Sequence, residues 1–306
     1  MHIRIATRGS KLALWQAHHI AALLKDAGIS TEIVTMETTG DKILDVTIAK
    51  IGSKGVFTEE LEAALKNGKA EIAVHSAKDM PSELPAGFEL IAFTRREKEN
   101  DVLISEKDGV SMNSEITVGT SSTRRTALIK HYYPHCRIIP VRGNLQTRIR
   151  KMQEGLCDAL LLAYAGIHRM EYDHLIKAHL AMDQFTPPVG QGSVTVEIHE
   201  GLPVEIKNAV RAAVNDTQTE YCLRAERAFL KKLEGGCSIP SFGYARWINE
   251  EIHMDAGLVS LDGKQLIRTS GKAAGAEAHQ LGFRLATEVL EAGGDKILKD
   301  IKTNQL

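Results

Sequence analysis

Asp79 and Cys237 are the two side chains here that could carry proton or covalent chemistry, and a set of arginines indicates what they would act on. Arg8 and Ser10 follow a short apolar run at 3–7, and the run at 72–75 ends in His75-Ser76-Ala77-Lys78-Asp79. Gly119-Thr120-Ser121-Ser122 leads into Arg124-Arg125, Arg142-Gly143-Asn144 leads to Arg148, and Ala165-Gly166 precedes Arg169. A guanidinium pairs bidentately with carboxylate or phosphate, each well-formed charge-assisted bond contributing roughly 1.5–3 kcal/mol. Any one of these arginines is as well explained by a surface ion pair of little consequence. As a set placed at strand ends they describe a cleft for a ligand with several acidic groups. The 119–122 turn adds backbone amides and hydroxyls at a helix start, a ready anion site.

Asp79 is an anion among these cations, with Lys78 beside it favouring the ionised form. Such a carboxylate could stabilise a cation developing on a substrate whose acids the arginines hold. Local sequence by itself favours a capping role in the turn before Pro81. Cys237 lies in Leu233-Glu234-Gly235-Gly236-Cys237-Ser238, after a helical pattern and before a strand, where two glycines leave clearance for a bulky group. A helix C-terminus does not depress a thiol pKa. That argues against a protease-like thiolate and leaves open a thiol that attacks one very reactive electrophile. Cys222 falls on an apolar helix stripe and reads as core, while Cys136 and Cys157 fit either reading, with core packing favoured.

The elements that must position these groups follow from the pattern. Apolar runs at 3–7, 33–36, 72–75, 116–119, 138–141 and 159–163 are short and uniformly apolar, as in parallel strands covered on both faces. Helical patterns separate them, for example 12–27 with Ser10 as N-cap and Gly28 just past its end, and 58–66 before Asn67-Gly68. Strand–helix alternation predicts doubly wound α/β lobes, whose ligands bind outside the carboxyl ends of the strands. Residues 94–101 and 185–192 read as two crossings between lobes. From about residue 215 the grammar changes to a helix over 218–233, strands at 241–249, 252–260 and 265–273, and a last helix over 276–291 that stops at Gly293-Gly294. The predicted architecture is therefore α/β: a discontinuous first domain (1–97 and 188–214), a second lobe (98–187), and a small C-terminal α+β domain (215–306) with a three-stranded antiparallel sheet.

At 306 residues with 43% apolar and 25% charged side chains the composition is that of a soluble multidomain protein. No apolar run approaches membrane-spanning length, and the N-terminus opens on a strand rather than an export signal, so a cytoplasmic location is expected. Widely spaced cysteines without a Cys-x-x-Cys pair speak against a disulfide framework or a structural zinc site. A formal net charge of −1 and 5% aromatics speak against nucleic acid as partner. Two other classes compete: a two-lobed anion receptor, which would need neither Asp79 nor an accessible Cys237, and a cysteine hydrolase pairing Cys237 with His75.

Several strings occur together in one order: Arg4-Ile5-Ala6-Thr7-Arg8-Gly9-Ser10 with Leu12-Ala13-Leu14-Trp15-Gln16-Ala17, Thr39-Gly40-Asp41, Lys50-Ile51-Gly52-Ser53-Lys54-Gly55-Val56-Phe57, and Val74 to Asp79. Gly119 to Arg125, Val141 to Asn144 with Thr147-Arg148, Pro188-Val189-Gly190-Gln191-Gly192 and Leu233 to Ser238 complete the set. On these strings together, the chain resembles the porphobilinogen deaminase family over essentially its whole length. Ser193 stands where the family usually has alanine, and Ala77 and Thr123 occupy variable slots.

The resemblance implies two lobes like type II periplasmic binding proteins and a third domain. It implies a dipyrromethane cofactor, made from two substrate units and held by a thioether to Cys237. On it a transferase joins four porphobilinogen molecules head to tail with loss of ammonia, and water then releases hydroxymethylbilane for tetrapyrrole (haem) biosynthesis. Asp79 would be the catalytic residue, stabilising the azafulvenium cation and contacting pyrrole N–H groups. Ser10, Lys78, Thr120, Ser121, Ser122, Arg124, Arg125, Arg142 and Gly143 would join Asp79 and Cys237 in binding the cofactor. Arg8, Gln16, Arg148, Arg169, Gln191, Lys50, Lys54 and Phe57 would bind substrate. No metal, nucleic acid or membrane is implied, and the expected state is a monomer.

Overall fold

The computed structural model describes residues 1–38, 58–235 and 239–304. Strand β1 (His2–Arg8) buries Ile3, Ile5 and Ala6, and helix α1 (Lys11–Asp26) follows at once. Ser10 caps α1 by accepting the Ala13 amide, and Gly28 turns the chain at φ 77° into β2 (Ser30–Met36). Ala17, Ile20 and Leu24 of α1 pack on one sheet face, with Val210 and Val214 of helix α6 (Val204–Val214). Leu61 and Leu65 of α2 (Glu59–Lys66) cover the other face against Ala6 and Ala73. Coverage on both faces is why these strands carry apolar residues without alternation.

With β3 (Ile72–Ser76), β4 (Phe88–Phe93) and β10 (Val194–His199), the first sheet has the order β2-β1-β3-β10-β4. The second lobe repeats it: β5 (Asp101–Ile104), β6 (Thr117–Gly119), β7 (Arg137–Ile139), β8 (Ala159–Ala163) and β9 (Ile176–His179) are ordered β7-β6-β8-β5-β9. In each sheet four strands run in one direction, and the strand that follows an inter-lobe crossing runs antiparallel to both its neighbours. That strand is β10 in the first sheet and β5 in the second. This exchange of one strand per lobe interlocks the two lobes through the two crossings.

The six predicted runs are parallel as expected, and each sheet adds one antiparallel strand. Strands β4, β5, β9 and β10 were not among the predicted runs. β5 is four residues long and abuts a charged segment, while β10 carries a polar residue at every second position. The run expected over 138–141 forms strand only as Arg137–Ile139.

The third unit is the antiparallel meander β11 (Ser241–Ile248), β12 (Glu251–Val259) and β13 (Leu266–Ala274). One face is covered by α7 (Thr217–Lys232) and α8 (Ala278–Val289), through Cys222, Ala225, Phe229, Leu281, Leu285 and Val289. The chain does not stop at Gly293-Gly294, as its turn chemistry suggested. Gly293, at φ 104°, only kinks the backbone, and helix α9 (Asp295–Asn304) continues, burying Ile297, Leu298 and Ile301 in the same core. Those three positions are a helical stripe that a stop signal upstream does not cancel.

This unit docks on both lobes. Leu223 packs with Ala77 and Phe93 of the first, and Val259 joins the core of the second. Among the described residues no helix is long and apolar enough to cross a membrane.

Candidate active site

β3 delivers the acid. Gln16 Nε2 donates to Ser76 Oγ at 2.8 Å, and one tight turn, Ala77–Asp79, then presents Asp79 to solvent and half-buries Lys78. The returning crossing lies directly on this turn. Gly190 sits at φ 80°, and a Cβ there would come within 2.7 Å of the Ala77 carbonyl carbon and the Lys78 nitrogen. Only glycine fits such an approach. Its neighbour Gln191 is a strut: Oε1 accepts from Lys78 Nζ at 3.4 Å, while Nε2 donates to the Glu99 carbonyl at 2.6 Å and to Asp101 Oδ1 at 3.1 Å.

The second lobe supplies the cations. Ser121 Oγ donates to the Val141 carbonyl at 3.0 Å, and the Thr120 hydroxyl accepts from the Ser122 amide at 3.2 Å. The Ser122 hydroxyl caps α3 (Thr123–Tyr132), fixing the two arginines of its first turn. Arg124 and Arg125 are buried, not splayed over an open cleft. Their Nη2 atoms grip the two oxygens of Asp101 at 2.6 and 2.7 Å, and their Nη1 atoms donate to the carbonyls of Thr186 and Leu161 at 2.9 and 3.1 Å. Burial alone would raise the Asp101 carboxyl, but the two guanidinium groups outweigh it and hold it well below the usual carboxylate range. The Nε atoms of both arginines are buried without a hydrogen-bond partner. A buried donor left unpaired is costly, and Arg96 and Arg169 each carry one as well.

Gly143, at φ 113°, and the Asn144 cap start α4 (Leu145–Gln153), whose Arg148 donates Nε–H to the Gly143 carbonyl at 2.7 Å. Burial, with Arg125 nearby, pushes the Arg148 guanidinium below its ordinary value, and Asp79 opposes that shift. Arg142 and Arg8 stand half-buried at their strand ends. The Lys78 ammonium is pushed down to about 8, chiefly by burial and then by Arg125 and Arg124, against the pull of Asp79 and Asp101. Lys78, Arg124, Arg125 and Arg148 thus gather around the Asp79 turn.

Arg169 is placed differently. At the end of α5 (Tyr164–Arg169) it stacks 5.0 Å over the Trp15 ring of the first lobe and donates Nη2–H to the Gly192 carbonyl at 2.7 Å. It lines a cavity of about 390 Å³ with Trp15, Glu97, His168 and Asp173, and burial pushes it down to about 10. His75 is buried in the first sheet with its Nε2 3.0 Å from Glu197 Oε2. The thiols of Cys136, Cys157 and Cys222 are buried and pushed up, Cys222 to about 12, so none is an activated nucleophile. Cys237, Lys50, Lys54 and Phe57 lie outside the described residues.

Residues 3–204 match the family described as "Porphobilinogen deaminase, dipyromethane cofactor binding domain", and 220–291 match "Porphobilinogen deaminase, C-terminal domain". A porphobilinogen deaminase from Desulfosudis oleivorans is 54% identical over 100% of this chain and 99% of its own. One from Cytophaga hutchinsonii is 52% identical over 98% and 97%. The chain belongs to the porphobilinogen deaminase family. Among solved structures, a substrate-binding domain of a putative amino acid ABC transporter from Streptococcus pneumoniae aligns at TM-score 0.44 and 14% identity, over 70% of this chain and 91% of that one.

Asp101, Thr186 and Glu226 are prominent in this porphobilinogen deaminase family member, yet sequence reasoning singled out none of them. The signal available for Asp101 was an acid opening a four-residue apolar strand, hidden by the charged run before it. Glu226 lies on the polar-looking side of a helix whose neighbours bury it completely.

Proposed function

We propose that this chain is a hydroxymethylbilane synthase whose Asp79 turn is the reaction centre and whose Arg124–Arg125 pair clamps the carboxylates of a dipyrromethane held on Cys237. The observation that carries this assignment is the pair of buried, partnerless Nε–H donors beside a half-buried Lys78 and an exposed Asp79. Dipyrromethane built from two porphobilinogen units brings acetate and propionate groups, and those donors match them in charge. When bound, it supplies the nucleophilic terminal pyrrole carbon.

The protein's own part is electrostatic. Each addition breaks one C–N bond with departure of ammonia and forms one C–C bond with loss of one ring proton. Asp79, ionised and open to the cleft, lowers the energy of the cation left when ammonia departs. Arg124, Arg125 and Lys78 fix the acids of the chain end, while Arg8, Arg142 and Arg148 receive those of the incoming unit. Ser10, Thr120, Ser121, Ser122, Gly143, Gln16 and Gln191 complete the set of contacts, and Lys50, Lys54 and Phe57, outside the described residues, are assigned to the substrate by the family resemblance. Arg169, drawn from Trp15, receives acids of the lengthening chain.

The three sheets support domains at 1–97 with 188–214, 98–187 and 215–306. In this reading the enzyme works as a cytoplasmic monomer on porphobilinogen, without metal, nucleic acid or membrane. Intact mass of the denatured protein tests the assignment. An excess of two porphobilinogen units less two ammonia, mapped to Cys237, is expected, and a chain that stays unmodified after incubation with porphobilinogen refutes it.

A further inference from the structure

Asp101 belongs to no expected set of cofactor or substrate contacts, yet it sits where all three parts of the molecule meet. It opens β5 at the end of the first crossing, is fully buried, and bonds Arg124 and Arg125 of the second lobe. Through Gln191 it reaches Lys78 of the first lobe. Through Arg124 it reaches Thr186, whose carbonyl accepts from Arg124 at 2.9 Å and whose hydroxyl accepts from Arg268 of the third unit at 2.8 Å. Each arginine is therefore tied down at both Nη atoms, and only the Nε edge is left without a partner.

Two adjacent guanidinium groups repel each other, and a shared anion offsets that repulsion in a buried site. We infer that Asp101 is a positioning residue: by holding Arg124 and Arg125 through their Nη edges it presets both Nε edges for the carboxylates of the dipyrromethane, before that group is attached. The inference rests on the clamp assignment made above. Asp101 does not touch the ligand itself. It acts through the two arginines, and through Gln191 it also sets the charge environment of Lys78. The ionisable groups facing Lys78 are Asp79, Arg125, Asp101 and Arg124. Removing the Asp101 charge leaves Lys78 facing two cations and one anion.

The test follows attachment rather than turnover. Apo-protein of the parent, Asp101→Asn and Arg124→Gln is incubated with porphobilinogen, and the adduct on Cys237 is timed by intact mass, with circular dichroism as the folding control. Asp101→Asn is expected to stay folded and load about tenfold or more slowly, a loss of at least about 1.4 kcal/mol. The alkaline limb of that loading should move to lower pH, because Lys78 has lost a neighbouring anion. Loading at the parent rate overturns the inference, and so does slow loading with an unmoved limb, which leaves Asp101 a structural role only. Parent-like loading by Arg124→Gln sinks the clamp assignment instead, so the two failures are distinct. If Asp101→Asn does not fold, Gln191→Leu cuts the strut between Lys78 and Asp101 at constant charge. It should slow loading and lower the limb in the same direction, and parent behaviour in both overturns the proposal.

Discussion

Glu226→Gln should nearly undock the third unit, and the size of the effect follows from four hydrogen bonds. Glu226 is fully buried on α7. Its Oε1 accepts from Arg96 Nη1 and the Ala245 amide, both at 2.8 Å. Its Oε2 accepts from Arg96 Nη2 at 3.0 Å and the Gly190 amide at 2.8 Å. One carboxylate thus ties the first crossing, the returning crossing and β11 together. Burial alone would lower the Arg96 guanidinium, but Glu226 outweighs it and raises it. Glutamine keeps the volume but replaces one oxygen with a donor that faces two donors, whichever way the amide is turned.

The uncompensated Arg96 costs about 3–5 kcal/mol, and one orphaned buried amide adds roughly 1 kcal/mol or more. A loss on the order of 5 kcal/mol is comparable with the whole stability of an ordinary domain, about 5–15 kcal/mol. Urea unfolding followed by circular dichroism should show a first transition displaced to much lower denaturant, assigned to the third unit. The double variant Arg96→Met with Glu226→Leu should recover part of the loss, since it removes both charges and fills the space. If Glu226→Gln unfolds within about 1 kcal/mol of the parent, the reading of this carboxylate as the interdomain tie is wrong.

Asp79→Ala should abolish porphobilinogen consumption while leaving the circular dichroism and melting unchanged, since Asp79 is exposed and caps no long helix. Full activity in that variant would sink its assigned role. The pH dependence has a definite sign. Lys78 titrates at about 8 in the fold against 10.5 ordinarily, so the folded protein binds fewer protons than the unfolded chain between those values. Stability therefore gains from Lys78 as pH rises through that window, while the grip on carboxylates is lost above about 8. Attachment of the cofactor to unloaded protein should show an alkaline limb near pH 8 that Lys78→Arg moves upward. A limb unchanged in Lys78→Arg assigns it to another group.

Local chemistry was enough to place most of the elements that carry the site. Ser10 before an apolar helical stripe and Gly28 after it bounded α1 correctly, because capping is a property of a few adjacent residues. The meander after residue 240 and the run of cations beyond strand ends were legible for the same reason. Strands β5, β9 and β10 were not, because their pairing partners lie far along the chain, β5 and β9 are only four residues long, and β10 alternates where the other runs are uniformly apolar. Likewise the last helix depended on Ile297, Leu298 and Ile301 finding an existing core.

Which residues carry charge was fixed by the sequence itself, and it named Asp79, Lys78 and the arginines without the fold. What each charge faces was decided only in three dimensions. Arg124 and Arg125, read as open hands for a ligand, share a buried Asp101, and Arg169, read with them, lies over Trp15 at the lobe junction. Asp101, Gln191 and Glu226 became central because the two crossings pass through one point between three packed units. Coulombic partnership depends on distance and on exclusion of water, and neither is written in the order of residues along the chain.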